Sequence, residues 1–305
     1  MKFPTTPDPL SYFATLVTQE ASGFLFEAAL AIAQDAQPAI DLVATQDEFD
    51  LLLNRLRHQL PENASETRKL RILIKYFYKE LGFGANLNNY YDPDNSYLHR
   101  VLATRRGIPI SIAVVFMEFA HQIGVPLHGV SFPGHFLLKL QQTENDVVFD
   151  PLTGESLSRE HLALILRPHL LQMAKHNADN SGEANPRKEL AADADWEIDD
   201  FQLQFFLQSA SPTQILVRML QNLKMIFVRN HDWQRMLPVL QRLVILQPED
   251  FIAKRDRGYA YANLECPQAA LQDLEAYLQA YPQASDAAML NQLLQQLRQA
   301  ASRFN

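Results

Sequence analysis

The chain has 305 residues, 47% of them hydrophobic and 20% charged, which supplies core for one large domain or two ordinary ones and argues against global disorder. Its formal charge of -8 is unevenly spread: residues 176–200 hold 8 acidic and 2 basic side chains, whereas 211–305 hold 10 basic and 8 acidic. No segment carries the cationic excess that phosphate neutralisation needs, so nucleic acid is not an expected partner, and the single cysteine, Cys266, excludes an internal disulfide framework or a thiolate zinc cluster.

The opening residues, Met1 to Pro7, contain no apolar core of the signal-peptide kind, which gives the expectation of a cytoplasmic protein. Residues 11–83 read as helical. Ala21–Gln34 is apolar and alanine-rich, and Asp47–His58 repeats Phe49, Leu52, Leu53 and Leu56 at helical spacing. Ser65-Glu66-Thr67-Arg68 opens a third helix with Leu70, Leu73 and Phe77 inward, ended by Gly82 and Gly84. Asn86–Asn95 is crowded with Asn, Asp and Pro and reads as a loop.

A further helix is predicted over Ile110–Ile123, with Pro109 in its first turn, where a missing N–H costs nothing, and Gly124 and Pro126 as its stop. The apolar run Ile108–Ala120 is interrupted by Ser111 and Glu118 and is too short to span a bilayer, so no membrane partner is expected. Leu127–Phe132, Phe136–Leu140 and Val147–Phe149 read as strands, the last two joined by a polar turn at Gln141–Asp146. A hairpin with its midpoint near Gln142-Thr143 would set His135 and Asp150 opposite one another at adjacent strand ends. The carboxylate would then orient the imidazole, forming the base-and-orienter half of a catalytic triad. A purely structural hydrogen bond is the alternative for such a pair.

Residues 177–200 are too polar to bury much surface and read as a linker or long loop. The expected domains are therefore 1–176, a connector at 177–210, and 211–305. After Ser211 the pattern is helical throughout. Pro248 and Pro282 stand 34 residues apart, with Gly258, Tyr261, Ala270 and Leu274 between them, and this resembles a tetratricopeptide repeat. Gly258 and Ala270 would allow close helix approach, with Tyr261 filling the groove between. One repeat earlier, Lys224, Phe227, Met236 and Leu240 keep the aromatic and apolar positions and lose the small ones. Asp286–Arg298 would cap the stack.

Four stretches, Tyr90-Tyr91-Asp92-Pro93-Asp94-Asn95-Ser96-Tyr97-Leu98, Arg106-Gly107-Ile108-Pro109-Ile110-Ser111, Phe132-Pro133-Gly134-His135-Phe136 and Phe149-Asp150-Pro151, resemble the bacterial SirB-type family, which joins a transglutaminase-like domain to tetratricopeptide repeats. The resemblance implies an α+β fold: a papain-type helix-plus-antiparallel-sheet domain followed by an all-α repeat domain. In the wider superfamily a cysteine at the start of the core helix is the nucleophile, where the helix dipole favours its thiolate. Matching that start onto Gly107-Ile108-Pro109 places Pro109 at the cysteine position and gives His135 and Asp150 the base and orienter positions. Cys266 matches nothing in the motif.

Ser111 is the neighbouring hydroxyl. Two residues along a helix is about 200° of rotation, so if Pro109 faces His135, Ser111 faces away. Its alternative role is a helix-start hydrogen bond to a backbone N–H. Arg105 and Arg106 are candidates to meet a carboxylate in the cleft or to form internal ion pairs, and Tyr90 and Tyr91 to line its mouth. His121, His128, His161, His169 and His176 lack metal-ligand spacing, and no cofactor is expected. Three functions follow: a protein-interaction or regulatory scaffold, with peptide or protein held by the cleft and the repeats; a serine hydrolase or acyltransferase using Ser111, His135 and Asp150; or a non-catalytic binder of acyl or peptidyl ligands through His135. The resemblance implies bacterial regulation.

Overall fold

A computed structural model describes residues 8–18, 24–142, 146–181 and 199–302, without the side chains of 174–181. The chain forms two compact units, one of residues 1–47, 91–100 and 212–305, the other of 48–90 and 101–211.

The second unit is the α+β one. Helix α3 (Leu42–Arg57) contributes Phe49, Leu52, Leu53 and Leu56, all buried, as their helical spacing predicts. Helix α4 (Glu66–Ile74) is capped by Ser65, whose side chain accepts from the Arg68 N–H, and continues as a π-helical turn over Lys75–Glu80. Phe77 of that turn stacks on Phe83 at 4.1 Å and meets Phe116 edge-on at 5.0 Å. The core helix, α6 (Pro109–Gln122), is buried without interruption from Ile110 to Met117. It packs on a three-stranded antiparallel sheet of β3 (Leu127–Val130), β4 (Leu137–Leu140) and β5 (Val147–Phe149). A short parallel pair, β1 (Gly84–Ala85) with β2 (Arg106–Gly107), leads into α6.

The polar connector takes a different form from the one its composition suggests. Helix α7 (Arg159–Ser181) runs through residues 177–181. Residues 182–198 lie outside the described residues. Helix α8 (Asp200–Phe206), capped by the Asp199 carboxylate, buries Leu203 and Leu207 against Val130, Phe132, Leu137 and Val148 of the sheet region. Lys139, buried in the middle strand, donates to the Leu207 carbonyl at 2.8 Å, a cation at a helix C-terminus. The Ala210 N–H donates to the Gly129 carbonyl. Residues 199–210 are thus part of the α+β core, because Leu203, Phe206 and Leu207 recur at i, i+3 and i+4 and form an apolar stripe.

The first unit holds the repeats: α9 (Pro212–Arg229), α10 (Trp233–Leu246), α11 (Phe251–Asn263), α12 (Pro267–Ala280) and α13 (Ala287–Ser302). Each packs on its neighbour in sequence. The 34-residue period recurs in the backbone: His231 (φ 52°) and Glu265 (φ 58°) both adopt the left-handed conformation where the first helix of a pair turns into the second. At Gly258 an added Cβ would lie 2.7 Å from Leu274 Cγ, so α11 and α12 meet as closely as the motif predicts. Asp273, almost fully buried beside that contact, is held bidentately by Arg257 at 2.7 and 2.8 Å. Tyr261 accepts a hydrogen bond from Gln241, and Ala270 is fully buried. Phe227, Met236 and Leu240, the matching positions of the preceding repeat, are buried too.

The expected assignment of the N-terminal helices to residues 1–176 differs from the observed units. Helices α1 (Pro9–Thr18) and α2 (Phe24–Ala31), with the 3-10 turn Ile32–Asp35, pack on α9 and α10. The reason is chemical: α2 is apolar around most of its circumference and needs cover on more than one face. A charge pair joins this packing, since Arg242 of α10, 1% exposed, contacts Asp35 at 2.5 Å and lies over the Phe13 ring. Asp35 Oδ2 and Arg242 Nε and Nη2 have no further hydrogen-bond partner among the described residues. Burial lifts the Asp35 carboxyl from 3.8 to about 6, with Arg242 opposing the rise.

Gly258→Ala should lower stability by about 1–3 kcal/mol, the usual cost of overpacking, seen as a reduced urea midpoint. Arg242→Met should cost about 3–5 kcal/mol at pH 7.5 by leaving Asp35 buried and unpaired. Burial raises the folded value of Asp35 and Arg242 holds it down, so losing Arg242 raises it further; the cost of ionising Asp35 in the variant is complete only above that raised value and is relieved as pH falls towards 3.8. The loss in Arg242→Met should accordingly be smaller at pH 5 than at pH 7.5. Urea denaturation at both pH values, giving equal losses, would disprove the account.

Candidate functional site

The site is built around the first turn of α6. Pro109 occupies its first position and is partly exposed. Ile108 precedes the helix in an extended conformation, and its carbonyl accepts from the Ile112 N–H at 3.1 Å. Ser111, at the third position, turns back on Ile108: its Oγ accepts from the Ile108 N–H at 3.1 Å and donates to the Ile108 carbonyl at 3.0 Å. This is the reciprocal half of a capping box, closing an otherwise unsatisfied helix start. Ser111 is 0% exposed.

His135 is exposed, at the end of a turn in which Gly134 has φ +70° and the His135 N–H donates to the Phe132 carbonyl at 3.0 Å. That turn delays the start of β4 to Leu137. In the hairpin Leu138 pairs with Phe149, so extending the register by one residue sets Asp150 against Leu137. His135 lies two residues further out. The equidistant placement expected from the sequence is therefore shifted, because the midpoint lies one residue later than Gln142-Thr143; Thr143 itself is outside the described residues.

Asp150 opens a tight turn. Its Oδ1 accepts from the Leu152 N–H at 2.7 Å, and its carbonyl accepts from the Gly154 N–H at 2.8 Å. Gly154 has φ +73°, and a Cβ there would fall 2.5 Å from the Tyr78 ring. Tyr78 donates to the Pro151 carbonyl at 2.7 Å. Burial, and then the negative charge of Asp150, push the Tyr78 hydroxyl well above its usual range. The Asp150 carboxylate thus organises its own loop.

The flanking candidates divide. Arg105, itself at φ 59°, contacts Glu48 at 3.3 Å, lies over the Phe83 ring and donates to the Leu102 carbonyl. It is an internal ion-pair partner. Arg106 donates to the Gly82 carbonyl at 2.5 Å. Tyr90 is exposed in the second unit, while Tyr91 belongs to the first, where its ring lies under the Arg229 guanidinium. Cys266 precedes α12 in the repeat unit. Among the described residues no group of three or more His, Cys, Asp or Glu side chains is arranged to hold a metal, and no helix is long and apolar enough to cross a membrane.

A buried core helix laid on an antiparallel sheet is the arrangement of a transglutaminase-like domain. Residues 44–221 match the transglutaminase-like superfamily model, and the chain belongs to that superfamily; residues 223–295 match a tetratricopeptide-repeat model. Within it the chain belongs to the SirB-type family. It is 36% identical to a UPF0162 protein of Xylella fastidiosa strain Temecula1 over 87% of each chain, and 31% identical to the UPF0162 protein PA3419 of Pseudomonas aeruginosa over 97% of this chain and 98% of that one. Protein SirB1 of Salmonella typhimurium is 26% identical over 78% of this chain and 79% of its own. No solved structure matches the chain.

Ser111→Ala should cost about 1–2 kcal/mol by removing the cap and leaving the Ile108 N–H buried without its partner. A thermal melt reads the loss; an unchanged midpoint would show that the hydroxyl does not hold the start of α6.

Proposed function

We propose that this chain is a non-catalytic protein-interaction or regulatory protein of the cytoplasm, in which a transglutaminase-like site has lost its nucleophile. The observation that carries this reading is the first turn of α6. The position matched to the cysteine is Pro109, which has neither a thiol nor an N–H, and the neighbouring hydroxyl is 0% exposed and bonded to Ile108. Activating a serine requires a base within reach of its proton and room for the acyl carbon. Here that proton is directed at the Ile108 carbonyl. The exposed His135 and the turn held by Asp150 then provide the rim of a binding surface. The tetratricopeptide repeats supply a second surface, of the kind that such repeats generally use for protein partners.

The rival reading is a serine hydrolase or acyltransferase using Ser111, His135 and Asp150. Incubation of the full chain with a fluorophosphonate probe, read by intact-mass spectrometry, separates the two. The expected result is an unchanged mass under conditions that fully label a control serine hydrolase. A stoichiometric adduct on the wild type, absent from Ser111→Ala, would establish the enzyme and end the non-catalytic reading.

A further inference from the structure

We propose that a groove along the last two turns of α9 is a docking site for a short acidic segment of a partner protein that carries an apolar side chain beside its carboxylate. This rests on the interaction reading above and narrows it to one surface. The groove has a volume of about 720 Å³ and is lined by Tyr91, Gln221, Lys224, Met225, Val228 and Arg229 among others. That is room for a few side chains of a peptide.

Two properties set the chemistry of the occupant. Met225, Val228 and Tyr91 are 65%, 44% and 57% exposed, so three large apolar side chains share one solvent-facing patch. Clustered exposure of this kind marks interaction surfaces, and a methionine adapts readily to an incoming side chain. The second property is charge. The lining contains Lys224 and Arg229 and no carboxylate. Lys224 is neutralised by its ion pair with Asp256. Arg229 has no carboxylate partner among the described residues and is stacked over the Tyr91 ring with its guanidinium carbon 5.1 Å from the centroid. Stacking fixes the plane of a guanidinium and leaves its N–H edge to take a carboxylate bidentately.

The end of α9 does not compete for this role. Its carbonyls at Ile226, Phe227 and Val228 already accept from the N–H groups of Asn230, Asp232 and His231. The helix C-terminus therefore offers few acceptors to a cationic ligand, and Arg229 dominates the local field. A nucleic-acid phosphate would satisfy the same edge, but a phosphate backbone needs several cations along its track, and the lining supplies only Arg229 and the already paired Lys224.

The test uses the full chain and four sets of labelled 12-residue peptides, read by fluorescence polarisation: acidic with apolar residues, acidic without, apolar without charge, and a charge-reversed set. Binding is expected for the first set only. It should weaken at least about tenfold in Arg229→Glu and in Met225→Glu, and persist in Lys79→Glu, an exposed charge reversal in the other unit. Thermal melts establish that the variants fold. Binding that is unaffected by Arg229→Glu, equal binding of the charge-reversed set, or no binding by any set would overturn the proposal. So would concentration-dependent dimerisation abolished by Met225→Glu, which would assign the groove to a second copy of the chain. None of these results bears on covalent labelling at Ser111, so the groove and the non-catalytic reading fail separately.

Discussion

The α+β unit depends on how the first turn of α6 is closed. A helix start leaves N–H groups that must be satisfied, and this one lies beside a fully apolar core where water cannot help. Pro109 removes one donor and Ser111 satisfies another, that of Ile108. The buried run from Ile110 to Met117 then packs on the sheet and, through Phe116, meets Phe77, which stacks on Phe83. Pro109 and Ser111 both serve the start of the helix itself.

The repeat unit is governed by a different constraint, close approach. Gly258 lets α11 and α12 come so near that the charges beside the contact cannot stay hydrated, and Arg257 with Asp273 meets this with a bidentate pair. Arg242 and Asp35 face the same problem with less success, because three of their polar atoms lack partners among the described residues. The burial that seals the N-terminal helices onto the repeats is also what raises the Asp35 carboxyl. Packing and acidity are coupled there.

Much of this was legible in the chain. The spacing of Phe49, Leu52, Leu53 and Leu56 marks one buried face, Pro109 and Gly124 bracket α6, and Pro248, Gly258, Ala270 and Pro282 give the repeat period. The structural alternative for Ser111, a bond to a backbone N–H, was open to reading as well, since serine near a helix start commonly does this. Other features were hidden. The register of β4 and β5 depends on the turn at Gly134, which no alternation pattern reveals. Residues 199–210 were masked by the acidic run that precedes them, although Leu203, Phe206 and Leu207 carried a helical stripe. The left-handed His231 and Glu265 were invisible because neither is glycine.

Local order follows from local chemistry, so the sequence by itself determined the helices, their caps, the repeat period and the absence of a thiol at the start of α6. Partnership between distant segments does not follow from it. Only the tertiary structure decided that α1 and α2 belong with the repeats, that Lys139 anchors α8, that Tyr91 lies beneath Arg229 and that Ser111 is sealed from solvent. Each of these is a contact across tens of residues, fixed by which apolar faces find cover and which buried charges find a partner, and such matching is a property of the assembled core.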